Sequence, residues 1–181
     1  MKRILFIAVA MLFCLAASAQ VKGDKYAGLS MGAAVQSTSK TIGGSNSVSL
    51  AAQTEIGLFL ADNLRLGIGV GGGLQKSGEN TTVSFVVNPA LAYYFKLGER
   101  SYYTPEIGFS WESGNALESV PYNGWSMYVD FLSFEFRISD SMAMAFSMGR
   151  MSTMKLNIAG SIANQFGIMF NNGSLGLRYY L

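Results

Sequence analysis

The chain has 181 residues, half of them hydrophobic and only 13% charged, against about 25% charged in ordinary soluble domains. So few charges do not cover a water-facing surface, and part of the surface is expected to meet lipid. Basic and acidic residues number 13 and 11, or 11 and 11 once Lys2 and Arg3 are set aside, and the absence of a basic run excludes nucleic acid as a partner.

In chain order, Lys2 and Arg3, the apolar stretch from Ile4 to Leu15, and the small-residue run Ala17-Ser18-Ala19 read as a secretory signal peptide, with Gln20 as the first mature residue. The stretch is shorter than the roughly 20 residues of a membrane helix. The single cysteine, Cys14, lies inside it behind Phe13, so neither a lipoprotein anchor nor a disulfide is expected. The boundaries are therefore 1–19 for the signal and 20–181 for one domain.

After Lys25 the dominant period is two, the signature of strands with one apolar face. Leu29, Met31, Ala33 and Val35 begin it; Val48 to Leu60, Leu64 to Leu74 and Val83 to Phe95 repeat it, the last around Pro89. Ile107, Phe109 and Trp111 follow, then Trp125 to Phe131. At Phe131-Leu132 the phase slips by one residue, which predicts a bulge, and Leu132 to Ile138 continue. Met142 to Met148 form the seventh set. Phe166, Ile168 and Phe170 lead, past a second slip near Asn172-Gly173, into the ridge Leu175, Leu177, Tyr179 and Leu181. That makes eight strands. Connections alternate between tight turns (61–63, 97–100, 139–141) and longer Gly-, Ser- and Asn-rich segments (37–47, 77–81, 113–122, 155–163). The segments 61–71 and 139–149 share a pattern of an Asp turn followed by an alternating strand.

The pattern predicts an all-β fold, an eight-stranded antiparallel up-and-down transmembrane β-barrel. The face opposite the apolar ridge is mostly Gly, Ala and Ser, which suits the crowded bore of so small a barrel. It also carries the charges Glu55, Arg65, Glu106, Asp130, Glu135, Arg137 and Arg178 and the large Phe59, Tyr94, Tyr128 and Tyr180. Charges in a narrow bore must pair. Arg65, Arg137 and Arg178 are therefore expected to meet Glu55, Glu106 and Glu135 toward one end and close the lumen. Tyr93, Phe95, Tyr103 and Tyr179 near the turns, with Trp111 and Trp125 near a loop, form two interfacial aromatic girdles.

Chemistry is sparse. The chain has no histidine, which removes Ser-His-Asp and Cys-His catalysis and histidine metal sites. Glu112 and Asp130 are the remaining candidates, as a carboxylate pair near the outer mouth. Gly67 to Gly73 are spaced by two on a strand, unlike a phosphate-binding loop, and the methionines between Met142 and Met154 read as packing or lipid-facing groups. No catalytic, cofactor-binding or metal-binding residue is expected, and no cofactor.

The stretch Glu55-Ile-Gly-Leu-Phe-Leu-Ala-Asp-Asn-Leu-Arg-Leu-Gly67, with Asn88-Pro89 ahead of Tyr93-Tyr94-Phe95, resembles the small outer-membrane barrel families, especially the porin-family barrel domain of Bacteroidetes-type bacteria, an OmpA- or OmpX-like barrel. The likeness covers the mature chain and departs at Leu181, where the family closes its last strand with an aromatic residue. It implies a bacterial outer-membrane location, lipid as a partner, and the barrel-assembly machinery as a partner through the C-terminal strand. Three roles follow as expectations: a non-enzymatic structural or surface-interaction barrel with any outside partner at the loops, a narrow pore for ions or small solutes, or a soluble periplasmic barrel binding a lipid-like ligand.

Overall fold

The computed structural model describes residues 22–37, 46–78, 80–116, 120–169 and 174–181. The expected signal peptide, Phe170 and the slip at Asn172-Gly173 lie outside them. The described residues are entirely β and form one antiparallel sheet. Its strands are β1 (Lys25–Ser37), β2 (Asn46–Ala61), β3 (Leu64–Ser77), β4 (Asn80–Tyr93), β5 (Phe95–Lys96), β6 (Ser101–Tyr103) and β7 (Glu106–Ala116). They continue with β8 (Val120–Asp130), β9 (Ser133–Arg137), β10 (Met142–Ser147), β11 (Arg150–Ile158), β12 (Ser161–Met169) and β13 (Ser174–Tyr180).

These are thirteen strands where alternation predicts eight, and bending accounts for four of the five extra divisions. At Tyr94, Thr104-Pro105, Phe131-Leu132 and Met148-Gly149 one strand stops and the next begins with no reversal of the chain. Ladder bonds still cross the breaks: Tyr93 N–H donates to the Pro105 carbonyl at 3.1 Å, Thr104 N–H to Ser133 at 2.8 Å, and Met148 N–H to Leu132 at 2.9 Å. Each break faces the next across the sheet, so together they mark one line along which a strongly twisted sheet turns sharply. Alternation runs unbroken through Tyr94 and Thr104-Pro105, so those divisions leave no mark in the periodicity. A change of register does leave one. Glu106 faces Asp130, but Tyr103 faces Phe134, an offset of one residue that places a bulge at Phe131-Leu132.

β1 pairs with both β2 and β13. From β1 the ladder runs through β2 and β3 to β4, passes Tyr94 into β5, and returns through β6, β9, β10 and β13 to β1. The sheet therefore curls on itself at the end that holds Lys25, Tyr180 and the tight turns at 62–63, 97–100 and 138–141; we call this the terminus end.

Three connections expected to be long are short. β3 and β4 are separated only by residues 78–79, β7 and β8 by 117–119, and β11 and β12 by Ala159-Gly160. The last is a two-residue hairpin turn with positive φ at both residues (49° and 87°), the geometry that matches strand twist. The Ser, Asn and Thr residues that read as loop there pair in ladders, because strand preference is set by neighbours more than by residue type.

Outer and inner faces differ as the alternation requires. Leu29, Met31, Leu50, Ile56, Ile68, Ile107 and Leu177 all lie on the outer face and are about half exposed or more. Inside, Tyr26, Phe59, Ala92, Tyr94, Tyr102, Ala143 and Tyr180 pack into the buried core. Phe59 meets Tyr94 edge-on with ring centroids 5.2 Å apart, a favoured aromatic geometry.

Candidate functional site: a charged plug beside a polar cavity

The interior has two parts, and the residues that build each come from strand ends at different heights. Arg65 follows the Asp62-Asn63 turn by two residues. Asn63 itself takes a positive φ of 65°, which Asn tolerates, and its carbonyl accepts from the Tyr94 N–H at 2.9 Å. This tight corner sets Arg65 inward at the terminus end, where it is 1% exposed. Its guanidinium reaches Glu106 at 2.5 Å and Glu55 at 3.5 Å, and donates to the Tyr94 hydroxyl at 2.9 Å.

Glu135, fully buried on β9, is the hub of the other side. It accepts from Tyr180 at 2.6 Å, Tyr94 at 2.8 Å and Arg178 at 3.0 Å, with the Arg137 Nε at 3.6 Å. Arg178 also reaches Glu55 at 3.4 Å, and Glu55 accepts from the Tyr26 hydroxyl. The structure thus brings Glu55, Arg65, Glu106, Glu135, Arg137 and Arg178 into one cluster at the terminus end. The cluster balances three positive against three negative charges and adds tyrosine hydroxyls as partners, while the Nε atoms of Arg65, Arg137 and Arg178 stay buried without a hydrogen bond. Guanidinium faces lie over rings as well: Arg137 sits 3.7 Å from the Tyr180 centroid, within cation–π range. With Tyr26, Phe59, Tyr94 and Tyr102 around them, these side chains fill the bore at that level.

Above the plug, toward the end away from the chain termini, lies a cavity of about 390 Å³. Gly28, Ser30, Gly32, Ser174 and Gly176 line one wall, with no large side chain to fill it. Gln53, Asn88, Glu112, Tyr128, Asp130 and Arg150 line the remainder.

Glu112 and Asp130 do not form the expected pair. Register puts Asp130 opposite Glu106 and Arg150, and Glu112 opposite Gly124, six positions farther along β7. Asp130 is held by Arg150 through two bonds of 2.6 and 2.8 Å. Glu112 accepts from the Tyr122 hydroxyl at 2.7 Å.

Sequence reading missed Arg150 and Tyr26. Arg150 bonds Asp130 and lies 4.0 Å from the Tyr128 ring centroid. It follows the Met148-Gly149 break, where Met151 and Met154 make both phases look apolar; Ser152 was the weak sign of the inward face. Tyr26 precedes the first clear apolar ridge. Its inward side follows only from extending the alternation of Ser30 and Gly28 backward.

On the outer surface Tyr93, Phe95 and Tyr103 form a contiguous row, with centroid separations of 4.8 and 5.8 Å, extended by Phe134 at 5.6 Å from Tyr103. Trp111 and Trp125 face each other across β7 and β8, near the opposite end. Tyr179 lies outward beside Met142. Among the described residues no group of three or more His, Cys, Asp or Glu side chains is arranged to hold a metal ion.

No protein-family model matches the chain, and no curated protein matches it. Its similarity is to solved structures. The crystal structure of Neisserial surface protein A is 11% identical, with 87% of this chain and 96% of that one covered and a TM-score of 0.57. A de novo designed transmembrane β-barrel is 12% identical over 90% of this chain and 100% of that one, with a TM-score of 0.45. The translocator domain of the autotransporter NalP from Neisseria meningitidis is 12% identical over 97% and 69%, with a TM-score of 0.48. At such identities the first likeness is one of fold alone: an all-β antiparallel sheet that curls on itself.

Proposed function

We propose that the chain is a non-enzymatic integral protein of the bacterial outer membrane, with a structural or surface-interaction role. In this reading residues 1–19 are a cleaved signal, and the thirteen described strands, nine once joined at the four breaks, act as eight staves of one closed OmpA- or OmpX-like barrel. β12 and β13 count as one because they pair with the two parts of the β10–β11 stave. The terminus end then faces the periplasm. The observation that carries it is the inversion of the two faces: large apolar side chains stand exposed outside, while the arginines and carboxylates are buried inside. A soluble lipid-binding barrel would have the opposite arrangement. Lipid is the partner of the outer face, the barrel-assembly machinery that of the C-terminal strand, and any extracellular partner meets the loops at the far end.

The plug supports a closed lumen. Planar-bilayer recording of the purified, folded protein is expected to show no steady large openings. Sustained wild-type conductance would mean that the narrow-pore role is correct instead. Recovery of a folded monomer in buffer without detergent would overturn the membrane reading itself.

A further inference from the structure

The charges in the two parts of the bore do not balance equally. In the plug, Arg65, Arg137 and Arg178 match Glu55, Glu106 and Glu135. In the cavity wall, Arg150 is committed to Asp130 by both of its bonded nitrogens. That leaves Glu112, whose carboxylate is bonded by the neutral Tyr122 hydroxyl and forms no ion pair among the described residues. It lines a cavity of about 390 Å³, within the roughly 300–1,000 Å³ range of small-ligand sites and large enough for about a dozen waters. Of the other polar groups that line it, Glu55, Glu106, Arg178, Asp130 and Arg150 are held in ion pairs, and the rest are neutral, among them Ser30, Ser84, Ser110, Ser126, Gln53 and Asn88.

We infer that this cavity is a binding site for a small hydroxylated monocation of the amino-sugar or amino-alcohol class, with its ammonium on Glu112 and its hydroxyls on the serine and amide wall. The sign follows from Glu112, which lines the cavity without an ion pair among the described residues, above a floor whose charges Glu55, Glu106 and Arg178 are paired. A dication would leave one charge unmatched, and an anion would meet Glu112 with no cation free to receive it. The polarity follows from the lining. Hydroxyls and amides face the cavity alongside Ala51, Val86, Ala145 and Met154, so a ligand that carries both hydroxyls and a carbon skeleton finds partners for each. Tyr122 positions the carboxylate. Its ring packs over Gly114, where a Cβ would come within 2.8 Å of it, while the position over Gly124, opposite Glu112, is taken by the Leu156 side chain.

The inference rests on the reading of a barrel plugged at one end, and two measurements keep the two separate. Glucosamine and N-acetylglucosamine are titrated into the folded protein in detergent micelles, with binding followed by calorimetry. The two sugars differ in the ammonium that acetylation removes. Glucosamine is expected to bind at least about tenfold more tightly, the size of a charge-assisted hydrogen bond. Glu112→Gln, which keeps the acceptor for Tyr122, is expected to lower glucosamine to the level of the acetylated sugar. Equal binding of the two sugars, no binding of glucosamine, or an unchanged affinity in Glu112→Gln overturns the proposal. Should the variant not fold, the wild-type comparison of the two sugars still decides. Bilayer conductance is recorded on the same preparation: an open lumen with selective glucosamine binding sinks the plug and spares the site, and a closed lumen without binding does the reverse.

Discussion

The two halves of the interior are built by the same strands from the same alternation, yet they are filled in opposite ways. At the terminus end large and charged side chains fill the space over small ones such as Ala92 and Ala143, and Arg65, Tyr26, Tyr94, Phe59 and Glu135 are almost wholly buried. Toward the far end the inward positions of β1 and β13 shrink to Gly28, Ser30, Gly32, Ser174 and Gly176, and a cavity remains. One bore thus holds a packed, hydrogen-bonded plug and a space. The plug derives its rigidity from shared partners: Glu135 accepts from Arg178, Tyr94 and Tyr180, so no member moves without unpairing several others.

The sharpest way to break that contrast is to remove the hub. Glu135→Ala leaves Arg178 and Arg137 without their nearest carboxylate, and breaking a buried pair in this way costs about 3–5 kcal/mol. Glu135→Gln keeps acceptors for the tyrosines and is expected to cost less, about 1–3 kcal/mol. Urea unfolding in lipid vesicles, followed by the fluorescence of Trp111 and Trp125, measures both. A loss below 1 kcal/mol for the alanine variant, on the order of a surface ion pair, would show that the cluster is solvated and is no plug.

The next contrast is between faces of one strand. Arg178 points inward and is paired, while its neighbour Leu177 points outward and is about half exposed. On the proposed membrane reading Leu177→Arg places a charge toward lipid, at an expected cost of about 2–4 kcal/mol near the bilayer centre. A cost near zero, measured by the same unfolding assay, would mean that this face meets water.

How much of this was legible follows from what alternation encodes. A period of two assigns each residue to a face, and that was enough to gather Glu55, Arg65, Glu106, Glu135, Arg137 and Arg178 on the inside. Height along the bore is a different quantity. It depends on the offset between neighbouring strands, which no single strand reveals, so Glu112 and Asp130 looked like a pair although six positions of β7 separate their levels. The strand number failed for a related reason: the bend line changes the direction of the sheet at Tyr94 and Thr104-Pro105 without changing the phase, and at Met148-Gly149 it moves the inward positions by one, from Ala143 and Ala145 to Arg150 and Ser152. Arg150, just beyond that line, was lost with it. The cavity was invisible as well, since a row of small inward residues reads the same whether a neighbour fills the space or leaves it.

Glycines separate these last two cases, and give the smallest but most discriminating test. A Cβ on Gly108, beside the plug, would land on the phenol ring of Tyr128, which is itself held by a bond to Glu106 and stacked against Arg150. Gly108→Ala is therefore expected to destabilise by about 1–3 kcal/mol, as overpacking does. At Gly176, in the cavity wall, the same Cβ would meet its nearest neighbours, the Leu29 carbonyl and the Ser30 Cβ, only at 3.4 Å, and it would extend toward open space. The backbone there is ordinary strand, so alanine also restricts the unfolded chain, and Gly176→Ala is expected to be neutral to stabilising by up to about 1 kcal/mol. One methyl group thus reports the packing at each level of the bore. If the two variants lose the same stability, the far half is as tightly filled as the plug, and the space in front of Glu112 does not exist in solution.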